Sequence, residues 1–208
     1  RPSFSARHMR TQRSQLIGFL NDEVATTPHA GDIIQGAQDM AWNGERFLMV
    51  VSTGGKMARA EAAIEALLER DVEGIIYASM YHRAVILPSN VRSVPIVLAN
   101  CFAEDRSLPS VVPDEFGGGY TATEALLAKG HHRIGFININ SVDPGIPASV
   151  GRLAGYRKAL TDYGIDYEPA WVRFGFGDPD SGYRLALELM QLANPPSALF
   201  CGNDRTAM

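Results

Sequence analysis

The sequence predicts an α/β fold in which two Rossmann-like lobes each contain a parallel sheet. Short apolar runs alternate with helical stripes along the 208 residues, and parallel strands need the long crossover connections that such helices provide. The alternation forms two blocks, with three consecutive glycines, 117–119, between them. We therefore predict an amino-terminal linker at 1–14, a first lobe at 15–118 and a second lobe at 119–208. The second lobe is expected to be incomplete, because it shows only three evident strands.

The first block contains five runs with the length and aliphatic composition of buried strands. These runs cover residues 16–20, 47–51, 74–78, 95–99 and 110–112. Apolar residues at spacings of three and four predict one helix around Ile33 to Ala41 and another around Ala60 to Leu68. Residues 81–93 are expected to form a short helix that breaks at Pro88.

The junction between the two blocks carries signals for both ends of a helix. Asp114 is a typical amino-terminal cap, and Gly130 supplies the left-handed conformation that ends many helices. Glycine costs roughly 1 kcal/mol per helical position, so the glycines at 117–119 weaken the first turn. They indicate either a hinge between the lobes or a loosely wound first turn.

The second block repeats the pattern over a shorter length. Strands are predicted at 133–137, 171–174 and 198–201. Apolar spacing places one helix around Leu153 to Leu160 and another at 182–192. Asn203 with Asp204 has the composition of a helix cap.

Composition narrows the classes of function. Apolar residues make up 46% of the chain and charged residues 20%, as in ordinary globular domains, and the net charge of −4 excludes a globally basic nucleic-acid coat. The amino-terminal segment is nevertheless basic, because four arginines precede the first acidic residue, Asp22. Two distant cysteines indicate neither a disulfide framework nor a metal cluster, and they fit a reducing cytoplasm. No run approaches the ~20 apolar residues of a membrane span, and the start lacks the apolar core of a secretion signal.

Polar residues accumulate where the predicted strands end. Ligands of open parallel sheets bind at the carboxyl ends of the strands, and carboxylates, amides and an arginine fork suit the hydroxyl groups of a small ligand. The candidate ligand-binding residues are Asp22, Thr27, His29, Ser79, Asn100, Asn138, Arg152, Asn203 and Asp204. Structural roles are open alternatives for some of them: Asp22 and Asp204 as helix or turn caps, Ser79 and Asn100 as residues that simply end strands, and Arg152 as half of a surface ion pair.

Motifs for catalysis are absent from the sequence. There is no G-x-G-x-x-G after the first strand, no phosphate loop, no G-x-S-x-G elbow and no paired metal ligands. The sequence therefore predicts a binding protein without a cofactor or a metal, in preference to a nucleotide-using enzyme.

Long ordered strings along the chain resemble a known family. They include LIGFL, LLERDVEGIIYAS, VPIVLAN, RLAGYRKAL and ALFCGNDRTAM, and they are similar to the effector-binding core of the LacI/GalR transcription factors. That family has the type I periplasmic-binding-protein fold. The resemblance implies a small molecule, a sugar or sugar derivative, bound between the lobes, with Arg152 and Asn203 as the strongest contacts. The loop INSVDPGIP and the lack of an aromatic residue near His29 depart from the family pattern, so the family's ligand preference does not carry over.

The amino-terminal segment RPSFSARHMRTQRS is similar to the hinge of the same family, which folds into a helix on operator DNA. By this match Met9 is an apolar wedge in the minor groove, and the hinge residues are Ala6, Arg7, Met9 and Arg10. The resemblance implies a cytoplasmic homodimer of the repressor type, without membrane contact, that binds operator DNA through a helix-turn-helix absent from this chain. The alternative is a solute receptor of the same fold, which a secretion signal in place of the helix-turn-helix would establish.

Overall fold

The computed structural model describes residues 14–22, 28–139 and 146–208, with the backbone alone described for 28–30 and for Arg92. The chain forms two compact units, residues 1–113 and 114–208, called unit 1 and unit 2 below. The α/β fold with parallel sheets that the sequence predicts is confirmed. The limits of the linker and the two lobes remain predictions. Across the described ranges, no helix has both the length and the apolar character that crossing a membrane requires.

Unit 1 is a parallel sheet with helices between its strands. Its elements are β1 (Leu16–Asn21), α1 (Pro28–Asn43), β2 (Phe47–Ser52), α2 (Met57–Leu68), β3 (Gly74–Val85), a 3₁₀ helix (Ser89–Ser93), β4 (Ile96–Ala103) and β5 (Ser110–Val111). The strands described in this unit follow the order β2-β1-β3-β4-β5. Ile64 and Leu67 of α2 pack against Ile75 and Leu98 of the sheet, and all four are at most 2% exposed. This core fixes the strands whose carboxyl ends carry the polar candidates.

β3 is longer than the sequence predicts, and the prediction of a short helix over residues 81–93 is wrong. The strand continues to Val85, and residues 83–85 pair with 101–103 of β4. The helical part of this segment is the 3₁₀ turn Ser89–Ser93. Pairing with the neighbouring strand decided the conformation, because strand formation depends on cross-strand partners that a local pattern does not show.

Unit 2 repeats the architecture with a smaller sheet. Its elements are α3 (Glu115–Leu127), β6 (Ile134–Ile139), α4 (Pro147–Asp162), a 3₁₀ helix (Pro169–Trp171), β7 (Val172–Gly175), α5 (Pro179–Met190), β8 (Ala198–Cys201) and a 3₁₀ helix (Asp204–Ala207). The strands described here are parallel, in the order β7-β6-β8. Phe136 is buried with Tyr156 of α4 on one face, and Ile137 is buried with Leu185 and Leu189 of α5 on the other. Both faces of β6 are covered, so polar groups are presented at the ends of the strands.

α3 and α4 touch backbone to backbone, and glycines allow this approach. A Cβ added at Gly119 would lie 2.3 Å from the carbonyl oxygen of Arg152, and one added at Gly155 would lie 2.1 Å from that of Phe116. Any other residue would force the two helices apart. Close packing therefore gives a physical reason for glycine at position 119 of α3, while a hinge at 117–119 is still a prediction.

Candidate functional site

Asp22 follows β1 directly and is the centre of a buried hydrogen-bond cluster. The residue is 3% exposed. Its Oδ2 accepts hydrogen bonds from Ser79 Oγ at 2.7 Å and from Arg83 Nη2 at 2.6 Å, and its Oδ1 accepts one from Met80 N at 3.0 Å. The carboxylate thus holds β3 at this point.

A break in the pairing of β3 with β4 makes room for this cluster. The register of the two strands shifts between Ala78 and Arg83, so residues 79–82 bulge out of the ladder. Beside the bulge, Asn100 has a left-handed φ of 56° and donates from Nδ2 to the carbonyl oxygen of Ser79 at 3.0 Å. Asparagine tolerates this backbone conformation better than most residues do. Ser79 and Asn100 therefore both shape the bulge.

Arg83 is the member of the cluster that reaches solvent. Its side chain is 46% exposed, whereas that of its partner Asp22 is 4% exposed. Arg83 Nε also donates to Ser79 Oγ at 3.1 Å, so one edge of the guanidinium is fixed. A guanidinium fixed in this way is pre-organised to bind two oxygens of a ligand.

Sequence reasoning did not find Arg83, because residues 81–93 were expected to be helical. A signal was present nonetheless. An aspartate at the end of a buried strand, as Asp22 is, needs a cationic or hydrogen-bonding partner once it is taken from water. The arginines that follow neighbouring strands are the first candidates for that role.

Cys101 is fully buried next to this cluster. Burial raises the pKa of its thiol from 9.0 to about 11, and the nearby charge of Asp22 adds to the rise. The unfolded chain therefore releases this proton at a lower pH than the folded chain does. The thiol's contribution to stability should be complete below pH 9 and should be lost as the pH rises towards 11.

Removing this thiol should make the protein less sensitive to alkali. We expect the free energy of unfolding of Cys101→Ala, measured with urea, to fall less than that of the wild type between about pH 8 and about pH 10.5. Ionisation of the tyrosines is common to both proteins and cancels in the comparison. Equal losses in the two proteins would contradict the prediction.

A cavity of about 450 Å³ lies against α1, at the end of the unit 1 sheet where the strands begin. Apolar side chains, including Ile17, Met40 and Val97, line most of it, and the ion pair of Arg46 with Glu73 lies at one side. Orienting a hydroxylated ligand requires several convergent polar groups. We therefore place the candidate site at the polar carboxyl ends of the strands and not in this cavity.

Asn138 is buried in β6, where it fastens the strand to the first turn of α4. The residue is 0% exposed. Its Nδ2 donates to the carbonyl oxygen of Ser149 at 2.9 Å and to Ser149 Oγ at 3.2 Å, and its Oδ1 accepts from Ile139 N at 2.8 Å. The structure gives Asn138 a supporting position, and its contact with a ligand remains a prediction.

Arg152 projects from α4 and links it to α3 and to the end of β8. Its Nε donates to Glu115 Oε2 at 2.8 Å, and its Nη1 donates to the carbonyl oxygen of Gly202. The side chain of Arg152 is 25% exposed and that of Glu115 is 7% exposed. The sequence left open that Arg152 is half of an ion pair with a surface acid. The ion pair is present, but its acidic residue, Glu115, is buried. As with Arg83 in unit 1, a buried carboxylate fixes a partly exposed guanidinium.

Asn203 caps the 3₁₀ helix after β8, as its position in the sequence predicts. Its Oδ1 accepts hydrogen bonds from Thr206 N at 2.8 Å and Thr206 Oγ1 at 2.7 Å. Its Nδ2 donates to the carbonyl oxygen of Gly177 at 3.2 Å, in the loop after β7. Asp204, the first residue of the 3₁₀ helix, is exposed. Asn203 therefore joins the carboxyl ends of β7 and β8.

Phe176 is a second residue of interest that the sequence-based candidates do not include. It follows β7 and is 83% exposed. Its backbone N donates to Ser181 Oγ at 3.2 Å, and the next residue, Gly177, is held by Asn203. The backbone on both sides of the ring is thus held, and an exposed aromatic ring offers a face to the C–H groups of a sugar. The sequence feature that could have indicated Phe176 is an aromatic residue between two glycines at the end of a predicted strand.

Part of the predicted site lies outside the described residues. This part comprises Thr27, the side chain of His29 and the hinge residues Ala6, Arg7, Met9 and Arg10. Within the described ranges, no group of three His, Cys, Asp or Glu side chains is placed to hold a metal ion. The described candidates, with Arg83 and Phe176 added, lie at or beside the carboxyl ends of strands.

Comparison with known proteins identifies relatives along nearly the whole chain. The family model described as periplasmic binding proteins and sugar binding domain of LacI family matches residues 14–208. The sucrose operon repressor of Escherichia coli is 32% identical over 219 residues, which cover 99% of this chain and 63% of that protein. The ribose operon repressor of Haemophilus influenzae is 26% identical over 209 residues, which cover 100% of this chain and 61% of that protein. The chain thus spans less than two thirds of the length of these curated relatives.

A solved structure shows the same fold. It is a transcriptional regulator of the LacI family from Rhizobium etli, with a TM-score of 0.81 and 30% sequence identity. The match covers 94% of this chain and 70% of that chain. Sequence and backbone therefore lead to the same group of proteins.

Proposed function

This chain belongs to the family of periplasmic binding proteins and LacI-family sugar-binding domains, and from that premise we propose that it is the effector-binding core of a DNA-binding transcriptional regulator of the repressor type. The observation that supports effector binding most directly is an arginine anchor that occurs in each unit. A buried carboxylate, Asp22 or Glu115, holds the guanidinium of a partly exposed arginine, Arg83 or Arg152. Donors that are ordered before the ligand arrives lose little entropy on binding it.

A carbohydrate is the proposed effector. In unit 1, Arg83 supplies hydrogen-bond donors. In unit 2, Arg152 and Asn203 supply hydrogen-bond donors, and Phe176 supplies an apolar face. A sugar ring has a rim of hydroxyl groups and a face of C–H groups, so it suits both kinds of contact. The relatives named above are repressors of a sucrose and a ribose operon, which supports the same class of ligand.

Operator DNA and a second copy of the chain are the proposed macromolecular partners. The curated relatives are operon repressors, which favours a regulator over a solute receptor of the same fold. In this proposal Ala6, Arg7, Met9 and Arg10 contact DNA beside a helix-turn-helix that lies outside this chain. In this proposal the protein acts in the cytoplasm, where its operator is. It has no catalytic role, since its curated relatives are repressors and not enzymes.

Effector binding must be coupled to DNA binding for such a regulator to respond. A ligand shifts an equilibrium between two states only by its difference in affinity for them. Arg152 is suited to transmit that difference within unit 2, because it contacts the first residue of α3 and the end of β8 from its place on α4. The coupling is reciprocal, so operator DNA must change the affinity for the effector by the same factor.

Arg152→Lys is expected to abolish stabilisation of the full-length protein by its effector. Lysine keeps a positive charge beside Glu115 but lacks the fork that can hold this carboxylate and a ligand together. The measurement is a thermal-shift screen against neutral mono- and disaccharides, sugar phosphates and nucleobases. A sugar at 100 times its dissociation constant should stabilise the wild type by about 2.7 kcal/mol. The variant should show no shift at the same concentration.

Arg157→Ala is the matched control for this experiment. Arg157 lies on the same helix but is exposed, with its guanidinium 4.2 Å from the ring centre of Tyr167. This variant should keep the wild-type shift. Full stabilisation of Arg152→Lys by the same sugar would show that Arg152 is not an effector contact. A folded wild-type protein that no sugar stabilises would refute the carbohydrate effector.

A further inference from the structure

The positive charge of each arginine anchor is compensated within the protein. Arg83 Nη2 lies 2.6 Å from Asp22 Oδ2, and Arg152 Nε lies 2.8 Å from Glu115 Oε2. The two carboxylate side chains are only 4% and 7% exposed, so water does little to screen either pair. A ligand beside either guanidinium therefore meets a positive and a negative charge together, and the ion pair as a whole is neutral.

Both guanidinium groups nevertheless keep hydrogen-bond donors for a ligand. Arg83 donates to other residues through Nε and Nη2, and Arg152 does so through Nε and Nη1. Among the described residues, Arg83 Nη1 and Arg152 Nη2 have no acceptor, so the N–H groups of these two nitrogens are open to a ligand. A hydroxyl group needs only such a donor, whereas attraction of an anion depends on the net charge nearby. The anchors are thus suited to hydroxyl groups and offer little to an anion.

The other charges that follow the candidate-bearing strands are acidic more often than basic. In each unit, the acidic residues of these described segments outnumber the basic ones by one. The connections after β1 and β6, residues 23–27 and 140–145, add one acidic residue each and neither lysine nor arginine. These charges would repel an anion. The residues counted in the described segments are Glu104, Asp105 and Arg106 after β4, Asp178 after β7, and Asp204 and Arg205 after β8.

We propose that the effector is an uncharged carbohydrate and that the site discriminates against the phosphorylated and carboxylated derivatives of the same sugar. A phosphate group brings roughly two negative charges. Neither anchor has positive charge to spare for it, and taking an uncompensated anion out of water is costly. This inference rests on the carbohydrate effector of the proposed function and assigns its charge.

Matched sugars test the discrimination in the full-length protein by isothermal titration calorimetry. The series compares ribose with ribose 5-phosphate, sucrose with sucrose 6-phosphate, and glucose with glucose 6-phosphate and glucuronate. We expect a neutral sugar to bind, and its charged derivative to bind about 100-fold or more weakly, because like charges in a binding site are strongly unfavourable. The dissociation constant of the neutral sugar should change less than about twofold between low and high salt, since an uncharged ligand leaves no attraction to be screened.

A size control accompanies the series, because a phosphate or carboxylate also changes the shape of the sugar. It is the methyl ester of the uronic acid that corresponds to the sugar that binds. This ester is larger than the acid but uncharged. It should bind much more tightly than the acid, since the carboxylate charge and not the added volume is what the site disfavours.

Glu115→Gln tests the compensation itself, because it removes the negative charge beside Arg152 and keeps an oxygen that can accept from Arg152 Nε. The quantity measured is the ratio of the dissociation constants of the charged derivative and its neutral parent. This ratio should fall about tenfold or more relative to the wild type. A general loss of affinity would change both constants and cancel in the ratio. Glu124→Gln makes the same chemical change further along α3 and should leave the ratio unchanged.

Four outcomes would overturn the inference. A phosphorylated or acidic sugar that binds as tightly as its neutral parent would refute the assigned charge and leave the carbohydrate effector standing. A methyl ester as weak as the acid would attribute the discrimination to size. An unchanged ratio in Glu115→Gln would show that the buried carboxylate does not cause it. A folded protein that binds no member of the series would refute the carbohydrate effector, and this inference with it.

Discussion

Gly155→Ala is expected to destabilise unit 2 by about 3 kcal/mol or more, although alanine normally favours a helix over glycine. The added Cβ would lie 2.1 Å from the carbonyl oxygen of Phe116 and 2.5 Å from the backbone nitrogen of Tyr120. Both atoms belong to the backbone of α3, so no rotation of a side chain can relieve the overlap. The helices must separate, and the core between them, which includes Tyr156 and Leu160, must open. The measurement is the urea midpoint of unfolding followed by circular dichroism.

Gly118→Ala provides the matched control, because it makes the same chemical change in open space. No atom lies within 4 Å of a Cβ added at Gly118 in the described part of the chain. This variant should be as stable as the wild type or up to about 1 kcal/mol more stable, since alanine is the better helix former. If Gly155→Ala and Gly118→Ala shifted the midpoint alike, the backbone contact between α3 and α4 would be refuted.

Asp22→Asn should lower the free energy of unfolding by about 2 to 3 kcal/mol and abolish the effector-induced shift. The amide keeps a single acceptor oxygen and puts a donor in place of the other, so it cannot accept both from Met80 N on one side and from Ser79 Oγ and Arg83 Nη2 on the other. Breaking a fully buried ion pair costs more than this, but Arg83 is 46% exposed and can regain water. Loss of the anchor also frees the guanidinium that the effector is proposed to contact. The measurements are urea unfolding and the thermal-shift assay with the effector.

The control for Asp22→Asn is Asp162→Asn, which removes a carboxylate from an exposed helical pair with Lys158. Pairs of this kind contribute little, because both groups remain hydrated. The control should therefore leave both the stability and the effector-induced shift close to those of the wild type. An Asp22→Asn protein that behaved like this control would remove the basis for Arg83 as an effector contact.

Several elements follow from local patterns in the sequence. The last strand was predicted at 198–201 and is found as Ala198–Cys201, and the first two strands each extend one residue beyond their predicted ends. Asp114 was predicted as the cap of a helix, and its Oδ1 accepts a hydrogen bond from Gly117 N at 2.8 Å. Strand runs and caps depend on residues adjacent in the chain, so the sequence shows them directly.

Contacts between distant residues decided the rest. The partnership of Asp22 with Arg83 spans 61 residues and depends on a strand extension that forms only against β4. Asn138 was a candidate ligand contact from its place in the chain, yet the fold turns it inward onto Ser149. The sequence by itself determined the fold class, the order of the elements and the polar character of the strand ends, because these depend on residue type and spacing. Only the tertiary structure decided which polar side chains hold the fold and which remain exposed to a ligand, because hydrogen-bond partners and burial are set by how the elements pack.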